Sequence, residues 1–494
     1  MATYRTARAL GTVKTRVPAR LDRLPWSRWH WMIIIGLGTV WILDGLEVTI
    51  VGALSGQLGK PGSGIAITQA QVSGLGAALY VAGACAGALF FGWLTDRFGR
   101  KKLFMITLGV YLVATALTAL SFSAWWFFLF RFLTGFGIGG EYAAINSAID
   151  ELIPKKHRGL IDITINGTYW AGAALGAVLT VPATADLPTA VGWRICFGLG
   201  VVLGLVILLV RRNVPESPRW LLIHGRDQEA EQLVGDIERR VSAQAGAELA
   251  AADHEIEIRQ RKVIGFATIA KTLFVRYPRR TILGLSLFIG QAFLYNAITF
   301  GYAQILATYF GVKSSPGYYF AIIAAGNLAG PLLLGRFFDT IGRRPMIAAS
   351  YIGSGLLLFV TAALFWKGML TAVTVTACWA AVLFLASAGA SAAYLTVSEV
   401  FPLETRALAI AFFYAIGTAA GGISGPLLFS SLVSSGKLGA GALAFSIGAA
   451  MMIAGGIVEI ILGVKAERQS LEDIAEPLTA SDYGDADREQ SRPA

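Results

Sequence analysis

The chain has 494 residues, of which 55% are hydrophobic and only 15% charged, with a formal net charge of +10. Soluble domains carry about 25% charged residues, and a mean hydropathy of +0.61 with long unbroken apolar runs excludes that class in favour of a polytopic membrane protein. In such a chain the basic excess reads as topology rather than nucleic-acid binding, because Lys and Arg collect on the cytoplasmic side of a membrane.

Residues 1–30 are basic and lack a short apolar run with a small-residue cleavage site, so they are expected to form a cytoplasmic tail and not a signal peptide. A helix needs ~20 apolar residues to cross the bilayer core. The runs predict spans near 31–55, 68–93, 103–122, 125–149, 162–184 and 192–211. After a polar cytoplasmic linker at 212–279, further spans are predicted near 280–306, 317–337, 346–365, 370–396, 408–432 and 440–464. The linker shows helical spacing around Ala230–Val241 and Leu249–Ile258. Residues 466–494 are acidic and poor in apolar groups (Glu472, Asp473, Glu476, Asp482, Asp485, Asp487, Glu489), which predicts a disordered tail. The expected fold is therefore all-α, with six-helix bundles at 31–211 and 280–465.

Alternate gaps hold the basic residues: Arg20, Arg23 and Arg28; Arg97, Arg100, Lys101 and Lys102; Lys155, Lys156 and Arg158; Arg211 and Arg212; Arg343 and Arg344; Arg406. The other gaps carry isolated Lys60, Lys313, Lys367 and Lys437. Both termini are expected to be cytoplasmic. Cys85, Cys196 and Cys378 lie in apolar runs and read as small core residues. His30, His157, His224 and His254 are scattered, and no metal-ligand cluster, nucleotide loop or nucleophile–base arrangement is visible, so no enzyme is expected.

A charged segment occurs twice. Gly92-Trp-Leu-Thr-Asp96-Arg97-Phe-Gly99-Arg100-Lys101 is matched by Gly335-Arg-Phe-Phe-Asp339-Thr-Ile-Gly342-Arg343-Arg344. Glu151-Leu-Ile-Pro154-Lys-Lys-His-Arg158 is likewise matched by Glu399-Val-Phe-Pro402-Leu-Glu-Thr-Arg406. Two homologous bundles joined end to end are the architecture of alternating-access transporters. The first pair resembles the cytoplasmic loop signature of the major facilitator superfamily. With Trp193-Arg194 before span six and Pro215-Glu-Ser-Pro-Arg-Trp-Leu221 after it, the ordered set resembles the sugar porter family and its metabolite transporter relatives over residues 31–465. Gly139-Gly140-Glu141-Tyr142 resembles the metabolite–proton symporter branch. Asp44-Gly45-Leu46-Glu47 resembles the Asp-Gly-x-Asp motif of aromatic acid–proton symporters, with Glu in place of the second Asp.

Charges inside spans cost on the order of 3 kcal/mol each, so they pair or work. Asp44 and Glu47, three residues apart, share a face of span one; Arg131 and Glu141 lie in span four. The resemblance assigns Asp44 the role of protonatable carboxyl and Arg131 that of its partner. Glu141 is a second coupling candidate, and Glu47 either joins them or faces the outer vestibule. Glu459 reads as a helix-end or interface charge. A permanent structural ion pair is the alternative to coupling.

Substrate would sit near the midplane between the halves. The resemblance places Asn166, Gln291, Asn296 and Tyr394 at binding positions, with Tyr169, Trp170 and Tyr295 as further candidates; interhelical hydrogen bonding is the alternative for the amides. The chain departs from hexose carriers at Ile289-Gly290, Phe300-Gly301 and Ala390-Ser391-Ala392-Ala393. Gly135, Gly137, Gly139, Gly140, Gly172 and Gly176 permit close helix approach. The resemblance assigns Gly92, Asp96, Arg97, Gly99, Arg100, Glu151, Arg158, Asp339, Arg343, Arg344, Glu399 and Arg406 to a cytoplasmic gating network, and Thr340, in place of an Arg, predicts a weaker second latch. The expected function is proton-coupled symport of a small polar solute, sugar-like or a carboxylated or aromatic metabolite. Uncoupled facilitation, export and solute sensing are the competing readings. No cofactor is expected besides the proton gradient; a monomer in a plasma or bacterial inner membrane is expected.

Overall fold

A chain segment in lipid has to satisfy its own backbone N–H and C=O groups, so the apolar runs become helices. The computed structural model describes residues 12–68, 71–185, 187–211, 214–245, 249, 251–252, 255–259, 270–312, 317–402, 406–467, 469 and 474–475. The first bundle comprises span one (Arg28–Leu58), two (Ala77–Phe98, entered through a π-helical turn at Val72–Gly76), three (Arg100–Ala119), four (Ala124–Leu152), five and six (Thr189–Arg211). The second comprises spans seven to twelve: Pro278–Phe310, Gly317–Thr340, Arg343–Trp366, Ala372–Val400, Arg406–Ser434 and Leu438–Leu462.

Span five differs from its single expected run. It is two helices, Arg158–Gly167 and Tyr169–Ala185, offset at Thr168. The Thr168 hydroxyl donates to the Gly38 carbonyl of span one at 3.0 Å, which anchors the offset against a neighbouring helix. Among the described residues, ten helices are long and apolar enough to cross a membrane by themselves. The remaining crossings are span four, with its charged residues, and the divided span five.

Packing repeats with an offset of six spans. One lies on five, two on four and three on six; seven lies on eleven, eight on ten and nine on twelve. The halves meet where span two faces eleven and span five faces eight. Close crossing of spans two and four depends on glycine: a Cβ on Gly83, Gly87, Gly135 or Gly139 would overlap a backbone carbonyl of the facing helix. Gly139→Ala is expected to lower stability by about 1–3 kcal/mol through this overlap. The check is the Tm in detergent; Gly109→Ala, whose added methyl would meet nothing within 4 Å, should leave it unchanged.

The polar segments hold structure that periodicity did not reveal. The linker carries the expected helix, Asp227–Ala245, and a short helix Pro218–Ile223. Residues 256–259, the first three of them expected in a helix, form a strand antiparallel to Thr12–Thr15, with Val13 opposite Ile258. Glu255-Ile-Glu-Ile-Arg alternates with period two, and its partner lies in the N-terminal segment, beyond the reach of any local pattern. That segment continues as a helix, Val17–Asp22. Arg20 and Arg23 pair there with Glu238 of the linker helix. Burial pushes the Glu238 carboxyl up, but the hydrogen bonds and charge of Arg20 and Arg23 outweigh it and hold the group below the usual glutamate range. Residues 1–11, His254, the named acidic residues of the tail, and the side chain of Asp96 lie outside the described residues.

Candidate functional site: a central cavity and a buried carboxyl

A cavity of ≈160 Å³ lies between the bundles. All four expected binding residues line it: Asn166 of span five, Gln291 and Asn296 of span seven, and Tyr394 of span ten. So do Tyr169, Trp170 and Tyr295. Span one contributes Trp41 and Val48; Tyr80, Tyr142 and Tyr414 enter from spans two, four and eleven. Trp41 was legible as the residue one turn before Asp44 on the same face, and Tyr142 as the neighbour of Glu141. Tyr80 and Tyr414 stand in runs where nothing local distinguishes them from packing residues.

Rings bridge the two halves on both sides of the cavity. Tyr142 meets Tyr414 at 4.4 Å and Trp41 meets Tyr394 at 5.8 Å between centroids. At 1.5 Å rise per residue, Tyr394 and Tyr414 lie only about two turns from the ends of their helices on the face that carries the basic gaps, the basic face. Toward the opposite face, Trp170 meets Tyr295 at 5.4 Å and Phe320 at 6.5 Å.

Asp44 stands directly behind the cavity wall, 2% exposed. The Tyr80 hydroxyl donates to one of its carboxylate oxygens at 2.7 Å, and the Tyr142 hydroxyl donates to the other. Arg131 does not pair with it. Its guanidinium bonds Glu47 at 2.6 Å and lies against the Tyr80 ring, 4.7 Å from the centroid. The expected Asp44–Arg131 pair is therefore replaced by Glu47–Arg131, and Glu47, 0% exposed, does not face a vestibule. The reason is antiparallel packing. Span one moves away from the basic face while span four begins at the opposite face, so Glu47, about 4.5 Å further along the axis than Asp44, lies nearer the early residue Arg131. Glu141 is buried between spans three and four, with the Thr107 hydroxyl at 3.3 Å, and does not line the cavity. Glu459 lies three residues before the end of span twelve, as expected, but is fully buried. Among the described residues no three His, Cys, Asp or Glu side chains converge as a metal site.

The gating candidates separate into two clusters at the basic face. In the first half, Arg100 pairs with Glu151, and the Ser217 hydroxyl donates to that carboxylate's other oxygen. Glu216 accepts the Arg100 N–H at 2.8 Å at the start of span three. In the second half, Arg343 donates to both oxygens of Glu399 at 3.1 Å and to Asp339 at 2.6 Å. Glu467 approaches the Arg343 N–H at 3.5 Å. Gly99 and Gly342 carry positive φ, +93° and +122°, at the turn into spans three and nine, which explains glycine at both positions.

The second cluster reaches across the halves. Asp339 accepts the Leu160 N–H at 2.8 Å, at the first turn of span five, where the helix dipole favours a carboxylate. A Cβ on Gly159 would overlap Asp339 and Arg343, and one on Gly92 would stand 2.9 Å from Ala411 of span eleven. Arg158, 1% exposed, bonds Asp22 of the N-terminal helix at 3.2 Å. Arg97 is exposed against Trp93 and Phe98, and Arg344 donates to the Ile460 carbonyl, so neither joins a cluster. Arg406 is buried at the start of span eleven. The exchange at Thr340 is immaterial to the second cluster: the residue is exposed, and Arg343 makes the ion pairs. Asp22 and Glu467 were not singled out from sequence, and Glu216 and Ser217 were named only within the motif after span six, without a gating role. Glu216 and Glu467 each follow the last span of their half by five residues, a third internal repeat that could have found them.

Two pseudo-symmetric six-helix bundles around a central cavity have the architecture of the major facilitator superfamily of membrane transporters. Residues 28–478 match the model of the sugar (and other) transporter family. The chain belongs to that family. It is 27% identical over 462 residues to a niacin transporter, NiaP, of Acinetobacter baylyi, covering 92% of this chain and 99% of that one. It is also 27% identical over 418 residues to plastidic glucose transporter 4 of Arabidopsis thaliana, covering 81% and 72%. The solved proton:xylose symporter XylE bound to 6-bromo-6-deoxy-D-glucose superposes with a TM-score of 0.72 over 90% of this chain and 98% of that chain, at 18% identity, which shows the fold. The inward-open form of the xylose transporter XylE from E. coli superposes with a TM-score of 0.60 over the same shares, also at 18% identity.

Proposed function

We propose that this chain is a proton-coupled symporter that moves a small polar organic solute by alternating access, with the basic face and both termini cytoplasmic. One observation carries the coupling: Tyr80 and Tyr142 wall the cavity and are also the hydrogen-bond donors that hold Asp44. A solute that engages either hydroxyl competes with the carboxylate for its donor. A buried carboxyl that has lost a donor favours its protonated form, so solute and proton bind together. Linkage makes the effect reciprocal: each raises affinity for the other by the same factor. Asn166, Gln291, Asn296 and Tyr394 supply the solute's polar and ring contacts. The Glu47–Arg131 pair neutralises the remaining charge behind the wall.

The contact of Asp339 with span five, braced by Arg343 and Glu399, holds the basic side shut while the cavity serves the other face. Their release would open the inner path. Similarity to a niacin transporter, a glucose transporter and a proton:xylose symporter supports the solute-carrying reading. The test is proton flux in proteoliposomes holding the purified chain, with hexoses, pentoses, polyols, aromatic acids and dicarboxylates added in turn. Solute-induced external alkalinisation is the expected result; labelled uptake without proton movement would leave an uncoupled facilitator.

A further inference from the structure

Resting on the transport reading above, we propose a solute class for the cavity: a flat, uncharged, single-ring aromatic or heteroaromatic compound whose one polar substituent, of carboxamide or protonated carboxyl type, is read by Gln291. Size, charge and the disposition of free polar groups each support it.

The cavity measures ≈160 Å³, and an apolar cavity of about 150 Å³ accommodates one benzene ring. Eight of its twenty lining residues are Trp or Tyr, contributed by both halves. Aromatic side chains in the lining suit a ligand that is itself flat. A pyranose is thicker than a planar ring and carries hydroxyls around its whole edge, each of which would need a hydrogen-bond partner.

None of the lining residues carries a charge. Arg131 is committed to Glu47 and lies against the Tyr80 ring, so it is not aimed at the solute. A carboxylate anion would enter beside buried Asp44 without a counter-ion, an arrangement that desolvation penalises. The protonated acid or the amide carries no such penalty.

Among the amides, Asn166 donates its N–H to the Asp162 carbonyl at 2.8 Å and Asn296 to the Ala292 carbonyl at 2.7 Å, each one turn back on its own helix. Gln291 is 7% exposed, lines the cavity and makes no hydrogen bond among the described residues. Its donor and acceptor are both free, the complement of a carboxamide or a protonated carboxyl group, which also presents one of each.

The test is calorimetric titration of the purified full-length protein in detergent with benzamide, benzoate and D-glucose, with no gradient present. Benzamide is expected to bind at least roughly tenfold more tightly than D-glucose or the benzoate anion, the difference of about one well-matched buried hydrogen bond. Benzoate affinity should rise on acidification in proportion to its neutral form, with benzamide as the uncharged control at each pH. Gln291→Ala and the isosteric Gln291→Met should each weaken benzamide by a similar factor, with melting profiles confirming that both variants fold. Glucose or benzoate anion binding as tightly as benzamide would overturn the proposal, as would benzamide binding unchanged in both folded variants. Because no proton gradient enters this measurement, a failure of coupling in proteoliposomes leaves the solute class standing, and the reverse also holds.

Discussion

Asp44→Asn is expected to cut solute-driven proton movement in proteoliposomes to about a hundredth of the parent or less, while solute binding in detergent stays within a few-fold. The substitution keeps shape and one acceptor but removes the ionisable group. Both tyrosine hydroxyls still have a partner, so the wall of the cavity is retained. The hundredfold figure corresponds to ~2.7 kcal/mol. Glu47→Gln separates the two carboxyls. It leaves Arg131 buried without a counter-charge, and its expected effect is a loss of about 3–5 kcal/mol of stability with coupling per folded molecule retained. Proton flux that survives in Asp44→Asn and disappears in folded Glu47→Gln would move the proton site to Glu47.

Arg343→Ala is expected to open the basic side. Arg343 is 2% exposed and serves Asp339 and Glu399 together. Its removal leaves two buried carboxylates without their shared cation, at a cost of about 3–5 kcal/mol. Asp339 also holds the first turn of span five across the halves, so the cost falls on the closed arrangement. A bias of that size shifts a two-state equilibrium by roughly a hundredfold or more. The measurement is a spin-label distance between Lys156 and Ile341, both exposed at the basic face, each replaced by Cys in a chain whose three cysteines are Ser. A widened distribution is expected for Arg343→Ala. Arg344→Ala, whose guanidinium donates to the Ile460 carbonyl outside the cluster, should leave it narrow. An unwidened distribution in folded Arg343→Ala would reduce the cluster to a structural role.

Much of this was readable in the chain. Each span was placed to within about five residues except for the start of span two, whose α-helix begins at Ala77 and not near 68, and the offset at Thr168, because ~20-residue apolar runs are imposed by bilayer thickness and leave a signal in every window. The cavity lining at Asn166, Gln291, Asn296 and Tyr394 was legible through the resemblance to sugar porters, which marks those positions by their spacing from the charged motifs. Partner choice was not. Asp44 and Glu47 share a face of one helix, and only the antiparallel run of span four decides that Arg131 meets Glu47 while the hydroxyls of Tyr80 and Tyr142 take Asp44. The strand at 256–259 was missed for the same kind of reason, since its partner lies in the N-terminal segment.

The sequence by itself thus determined what one dimension can encode: that the chain lies in a membrane, how many times it crosses, that its halves repeat, and which residues are too polar to sit in lipid without a reason. Tertiary structure alone decided the pairings. A buried charge is satisfied by whichever group the packing of helices brings within about 3 Å, and that distance is set by crossings between segments far apart in the chain, such as the glycine contact of spans two and four and the Asp339 contact with span five.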